Sequence, residues 1–140
     1  MSVLDNADVR QALRQAWADS RPGTLEVHEE GGFIVRDESG GYQIERWPCG
    51  ETNRMVVPPH SAGRRGAGLI IATFHTHPNP EPDYQQEPSL TDIRAVRGDT
   101  DLRHAEYEGE FVIAAEQLYR ILPNGLVENL GDTRAILTVD

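Results

Sequence analysis

A single cysteine, Cys49, stands among 140 residues, so the chain can form no internal disulfide and no multi-cysteine zinc module. Positive charge is also scarce: 13 Lys and Arg face 23 Asp and Glu, giving a net charge of −10. Nucleic acid needs clustered cations against its phosphates, so this balance argues against it as a partner. No apolar run approaches the roughly 20 residues needed to cross a bilayer. The start, Met1-Ser2-Val3-Leu4-Asp5-Asn6, has no basic segment leading into an apolar core. The expectation is a cytoplasmic protein without a membrane partner. Its length suits one domain, 1–140, and 38% hydrophobic residues suffice for a core.

Apolar residues at helical spacing predict a helix from Val3 to Ala18, ended by Arg21-Pro22-Gly23. A short strand is expected at Thr24 to Val27. Phe33-Ile34-Val35 continues as strand, and Tyr42 to Trp47 returns as the second arm of a hairpin. Pro48 to Gly68 reads as loop, with a short strand at Met55-Val56-Val57. Leu69 to Phe74 is apolar enough for a buried strand. Four prolines between Pro78 and Pro88 exclude a helix or a central strand there. Ser89 opens a helix through about Val96. Phe111 to Ala115 and Gln117 to Leu122 form a second hairpin, and Ala135 to Val139 is expected as a last strand. The fold class is α/β, with a mixed, mainly antiparallel sheet flanked by helices.

The chemistry concentrates where the buried strand ends, at His75-Thr76-His77-Pro78. Side chains two apart on a strand share a face, so both imidazoles can converge on one metal ion. Downstream, Ser89-Leu90-Thr91-Asp92 has the spacing of a helix cap, with Ser at the N-cap and the acid at N3. A cap also aims the Asp92 carboxylate at whatever precedes the helix, so cap and third ligand are compatible roles. Three protein ligands plus a water make a catalytic zinc site rather than a structural one. Glu29 and Glu30 offer two acids, of which alternation turns one toward the site. Cys49 reads as a free thiol without an activating partner. His28, His60 and His104 show no ligand spacing with one another, and Arg64-Arg65 reads as a solvated pair or as a holder of an acidic peptide end.

Together, Glu29-x-x-Gly32-Phe33, His75-Thr76-His77-Pro78 and Ser89-Leu90-Thr91-Asp92 resemble the signature of the JAMM (JAB or MPN+) zinc metalloproteases. The spacer from Pro78 to Pro88 is eleven residues, longer than is usual in that family. It brings Glu81, Asp83 and Glu87 into the neighbourhood of the ligands. The resemblance implies a JAB/MPN-like fold, with zinc held by His75, His77 and Asp92. It makes Glu29 the general base and then acid, and Ser89 the oxyanion donor. The implied reaction is hydrolysis of a peptide or isopeptide amide on a protein or peptide substrate, with ubiquitin-like and small carrier-protein tails as candidates. Two alternatives stand beside it. His75-x-His77-x-x-x-Glu81 matches the middle of a cupin metal motif, and the same fold can serve as a non-catalytic binding module.

Overall fold

The computed structural model describes residues 2–48, 57–58, 60, 62–79, 86–102 and 104–138. Its centre is a nine-residue strand, β4 (Gly68–Thr76), buried along most of its length. Ile70, Ile71, Ala72 and Phe74 supply the apolar surface for burial on both faces, as expected of a central strand. On one side β4 pairs antiparallel with β1 (Gly31–Arg36), which pairs in turn with β2 (Tyr42–Arg46). On the other side it pairs in parallel with β5 (Glu110–Ile113). The sheet continues antiparallel through β6 (Gln117–Ile121) and β7 (Val127–Asp132). A two-residue strand, β3 (Arg64–Arg65), adds to β4, making seven strands in the order β2-β1-β4-β5-β6-β7 with β3 off that path. The β4/β5 pair is the single parallel pairing among them, so the mixed, mainly antiparallel sheet agrees with the expectation.

Helix α1 (Ala7–Asp19) covers one face. Val9, Leu13 and Ala16 recur at helical spacing and pack with Ile34, Ala72, Phe74 and Phe111. Helix α2 (Leu90–Gly98) covers the opposite face, where Val96 meets Val112 and Ile121. A parallel pair needs a crossover between its strands, and α2 is carried in that crossover. The geometry therefore sets the first turn of α2 over the C-terminal end of β4. Gly31 permits the close approach of β1 on this side: a Cβ there would meet the Phe74 carbonyl and the Trp47 ring, both at 2.7 Å.

Several local expectations are corrected. The first helix begins at Ala7, not Val3, because Asn6 caps it by accepting from the Val9 amide; Val3–Asp5 forms a separate 3-10 turn under its own Ser2 capping box. Thr24 to Val27 forms turns rather than a strand. Thr24 holds the turn, its Oγ1 donating to the Arg21 carbonyl at 2.8 Å and accepting from the Glu26 amide at 3.2 Å, and Leu25 is fully exposed. Ala135 and Ile136 are helical, not extended, because Asp132 caps α3 (Thr133–Ile136) by accepting from the Ala135 amide, and Val139 lies outside the described residues. The preceding strand β7 was not anticipated, and α3 brings the α-helices to three among the described residues, rather than two. Residues 55 and 56 lie outside the described residues, and Val57 is not in a strand. No helix among the described residues is long and apolar enough to cross a membrane.

Candidate metal centre

His75 and Thr73 share one face of β4, and His77 follows on the same side just past the strand end. The two Nε2 atoms lie 3.1 Å apart. Asp92 Oδ2, from the first turn of α2, lies 3.5 Å from His75 Nε2 and 3.2 Å from His77 Nε2. The sequence places these three residues up to seventeen positions apart, and the β4–α2 crossover closes them into one triangle.

What the rings do on their other edges fixes their orientation. His77 Nδ1 lies 3.0 Å from the Gln86 carbonyl, which can only accept, so this nitrogen carries the proton. His75 Nδ1 lies 2.9 Å from Glu110 Oε2 and likewise donates. With its proton on Nδ1, each ring can turn an Nε2 lone pair toward Asp92. Carboxylate and carbonyl partners of this kind hold metal-binding histidines in the correct tautomer. Glu110 is itself held. Thr73 Oγ1 donates to its Oε1 at 3.0 Å, so the Tyr107 hydroxyl at 2.8 Å must be the donor to Thr73. Burial raises the Tyr107 pKa, which keeps that proton in place.

Three lone-pair atoms that face each other repel unless something positive lies between them. In the chain without an ion, a proton does this work. Burial opposes charge on His75, but the Glu110 and Asp92 carboxylates outweigh it and raise the His75 pKa well above its ordinary value. Burial also works against the Asp92 charge, and contacts to His75, His77 and the Ser89 amide overcome it, lowering the Asp92 pKa far below the carboxylate range. The donor set fits one divalent cation in place of that proton.

The signs of these shifts set the pH behaviour. His75 stabilises the metal-free fold fully below its unfolded pKa, ~6.5, and that contribution is lost as pH rises through the raised folded value. Asp92 contributes above ~3.9, and loses its contribution as pH falls through its lowered folded value. Metal-free protein should thus melt at a lower temperature as pH is raised beyond neutrality. Saturating divalent cation should remove that decline, because the ion replaces the proton. Thermal melts with and without chelator across this range check it, and an unchanged metal-free Tm would count against the proton-for-ion exchange.

Glu29 lies just before β1. One of its carboxylate oxygens and the histidine nitrogens lie within 4.8 Å of one another. Burial raises the Glu29 pKa; His75 and His77 pull it down, and Asp92 and Glu110 push it up. It thus senses every charged group of the triangle. Glu30 faces elsewhere, bonded to His28 Nε2 and to Arg46 Nη2, each at 2.5 Å. Of the two acids, Glu29 is the one beside the histidines. Ser89 occupies the N-cap: its Oγ accepts from the Asp92 amide at 3.0 Å, and Asp92 Oδ2 accepts from the Ser89 amide at 2.9 Å. Among the described residues nothing accepts the Ser89 hydroxyl proton. Asp92 is therefore both capping residue and member of the triangle.

Other candidates lie apart from the triangle or outside the described residues. Cys49, Glu81 and Asp83 fall outside those described, and Glu87 is exposed. His60 bridges Asp101 through Nδ1 and Asp99 through Nε2, 3.2 Å away. His60, Asp99 and Asp101 thus form a second cluster whose ligand atoms lie within 4.8 Å of one another. His104 Nε2 bonds the Ile70 carbonyl at 2.8 Å. Arg65 forks onto Glu45, so it is not the solvated residue expected, whereas Arg64 is exposed.

Glu110, Thr73 and Tyr107 were not found from sequence. The available signal was an acidic residue opening the apolar run Phe111-Val112-Ile113, which reads as a strand end until the β4 partner is known. Glu110→Gln should weaken metal binding by about 10–100-fold, because the amide accepts the His75 proton less strongly. Competitive titration against a chelator of known affinity measures it. No protein-family model, curated protein or solved structure matches this chain.

Proposed function

We propose that this chain is a zinc-dependent metallopeptidase or isopeptidase, similar to the JAMM family, that hydrolyses a peptide or isopeptide amide. One observation carries the reading: the edges of the His75–His77–Asp92 triangle, 3.1, 3.5 and 3.2 Å. Zinc bonds of ~2.0–2.1 Å in a tetrahedron put neighbouring ligand atoms ~3.3 Å apart. The three donors thus have the spacing of one tetrahedral face, and a Glu29 carboxylate oxygen lies within 4.8 Å of the histidine nitrogens. Zinc held by His75, His77 and Asp92 would polarise a carbonyl and lower the pKa of a coordinated water from ~15.7 toward ~7.

The remaining roles belong to the chain. Glu29 takes the water proton and returns it to the departing amine, base first and acid second. A raised carboxyl pKa suits a group that must both accept and release a proton near neutrality. Ser89 donates its hydroxyl proton to the oxygen that gains charge during attack. Asp92 holds its ligand position through the helix cap, while Glu110 and the Gln86 carbonyl keep both imidazoles turned inward. A ubiquitin-like or small carrier-protein tail is the substrate class that the family resemblance favours.

The open sheet speaks against the cupin alternative, since β4 ends at Thr76 and the strand order does not close on itself. The complete set of Glu29, His75, His77, Asp92 and Ser89 speaks against a binding module without chemistry. The test is metal analysis of the purified chain, followed by assay of the zinc-loaded protein on a library of quenched fluorescent peptides. One zinc per chain and chelator-sensitive cleavage support the proposal. Iron or manganese with no amide cleavage would sink it.

A further inference from the structure

We propose that Thr76, the residue between the two histidines, is a positioning residue that holds Glu29 against the metal centre; this rests on the hydrolase reading of Glu29. The Thr76 side chain points away from the histidines, toward α1, and is fully buried, as is Ser20 at the end of that helix. Ser20 Oγ donates to the Ala16 carbonyl at 3.0 Å. Its proton is thereby used, so in the 2.7 Å contact with Thr76 Oγ1 it is Thr76 that donates. Thr76 Oγ1 in turn accepts from the Glu30 amide at 3.0 Å. Every hydroxyl in this chain of bonds donates once and accepts once, ending on a helix carbonyl.

The arrangement bears directly on Glu29. The Glu30 amide belongs to the peptide plane that leaves Glu29, and the next carbonyl, Glu30 O, accepts from the Thr76 amide at 2.9 Å. Thr76 therefore grips two successive peptide planes. Residues 27–30 precede β1 and have no regular strand of their own, so the sheet ladder does not fix them. A second grip comes from Ser20, whose carbonyl accepts the His28 amide at 3.0 Å. The Glu30 carboxylate, on the opposite side from Glu29, is tied to Arg46, which also reaches Asp19 Oδ2 at 3.1 Å. The Glu29 carboxylate has no such tether among the described residues, and its placement depends on the backbone beneath it. The ligands His75 and His77 are oriented separately, by Glu110 and the Gln86 carbonyl. Loss of the Thr76 hydroxyl should consequently misplace the base and spare the ion.

The test compares Thr76→Val and Thr76→Ser in the zinc-loaded full chain. Valine keeps the branched shape without the hydroxyl; serine keeps the hydroxyl. We expect Thr76→Val to retain its zinc and its KM, and to lose at least about tenfold in kcat on the quenched fluorescent peptides, since a small misplacement of a reacting group carries such costs. Hydrogen exchange at the Glu30 amide should quicken by about tenfold or more as its acceptor disappears. Thr76→Ser should recover both toward wild type. A valine chain with wild-type kcat and Glu30 exchange overturns the proposal, as does zinc loss in that chain, or a serine chain as impaired as the valine one. If Thr76→Val folds poorly, Ser20→Ala breaks the same chain one link away and should move kcat and exchange in the same direction, by less. A zinc-loaded wild-type chain that cleaves none of the peptides removes the hydrolase reading and the catalytic half of this proposal together. Wild-type turnover beside an unimpaired valine chain removes this proposal alone.

Discussion

Glu29→Gln is expected to lower kcat by about 10²–10⁴-fold while leaving zinc stoichiometry unchanged. The amide keeps the size of the side chain and its place beside the triangle, but it cannot take a proton. Glu29 is not one of the three atoms that close the triangle, so removing its charge leaves the ligand edges intact. A merely structural acid would show the reverse pattern, with little loss in turnover and a fall in Tm. Single-turnover cleavage and metal analysis on one preparation separate the two. A Glu29→Gln chain that cleaves at the wild-type rate would remove Glu29 from the chemistry.

His77→Ala should lose metal and activity together. Without that imidazole two donors remain, and the Gln86 carbonyl loses the proton it accepts. The thermal signature is large as well. An ion present at a hundred times its dissociation constant stabilises the native chain by about 2.7 kcal/mol, a Tm rise of roughly 10 °C for a domain of this size. Wild-type protein should show that rise on zinc addition, and His77→Ala should not. Equal rises in both proteins would place the stabilising ion elsewhere.

The half of the site that lies along one strand was legible in the sequence. His75 and His77 sit two apart, so their convergence follows from strand geometry alone. Asp92 was legible because a capping motif states where its side chain points. Glu29 was distinguishable from Glu30 only through family resemblance; the structure separates them by their partners, with Glu30 bound to His28 and Arg46. Glu110 was not legible, since its contact with His75 exists only across the parallel β4/β5 pair, which no local periodicity encodes. The same holds for Thr76, which looks in the sequence like a spacer between two ligands.

In the fold, the central apolar strand and both hairpin regions were readable from alternation and turn residues. The failures were at positions where a single side chain decides. The Thr24 hydroxyl, bonded to the Arg21 carbonyl and the Glu26 amide, turns a plausible strand into a turn. The Asp132 cap makes the apparently extended Ala135 and Ile136 helical.

The one parallel seam in the sheet has a consequence for assembly. His75 lies on one side of it and Glu110 on the other, with Asp92 carried in the intervening crossover. Hairpins close early because their ends are near in sequence, whereas a parallel pair must first close a long loop. A growing chain therefore has its two imidazoles long before it has the acid that aims one and the acid that joins both. On the proposed reading, metal capture would be a late event, coupled to completion of the crossover, and an emerging or truncated polypeptide would offer an ion no finished seat.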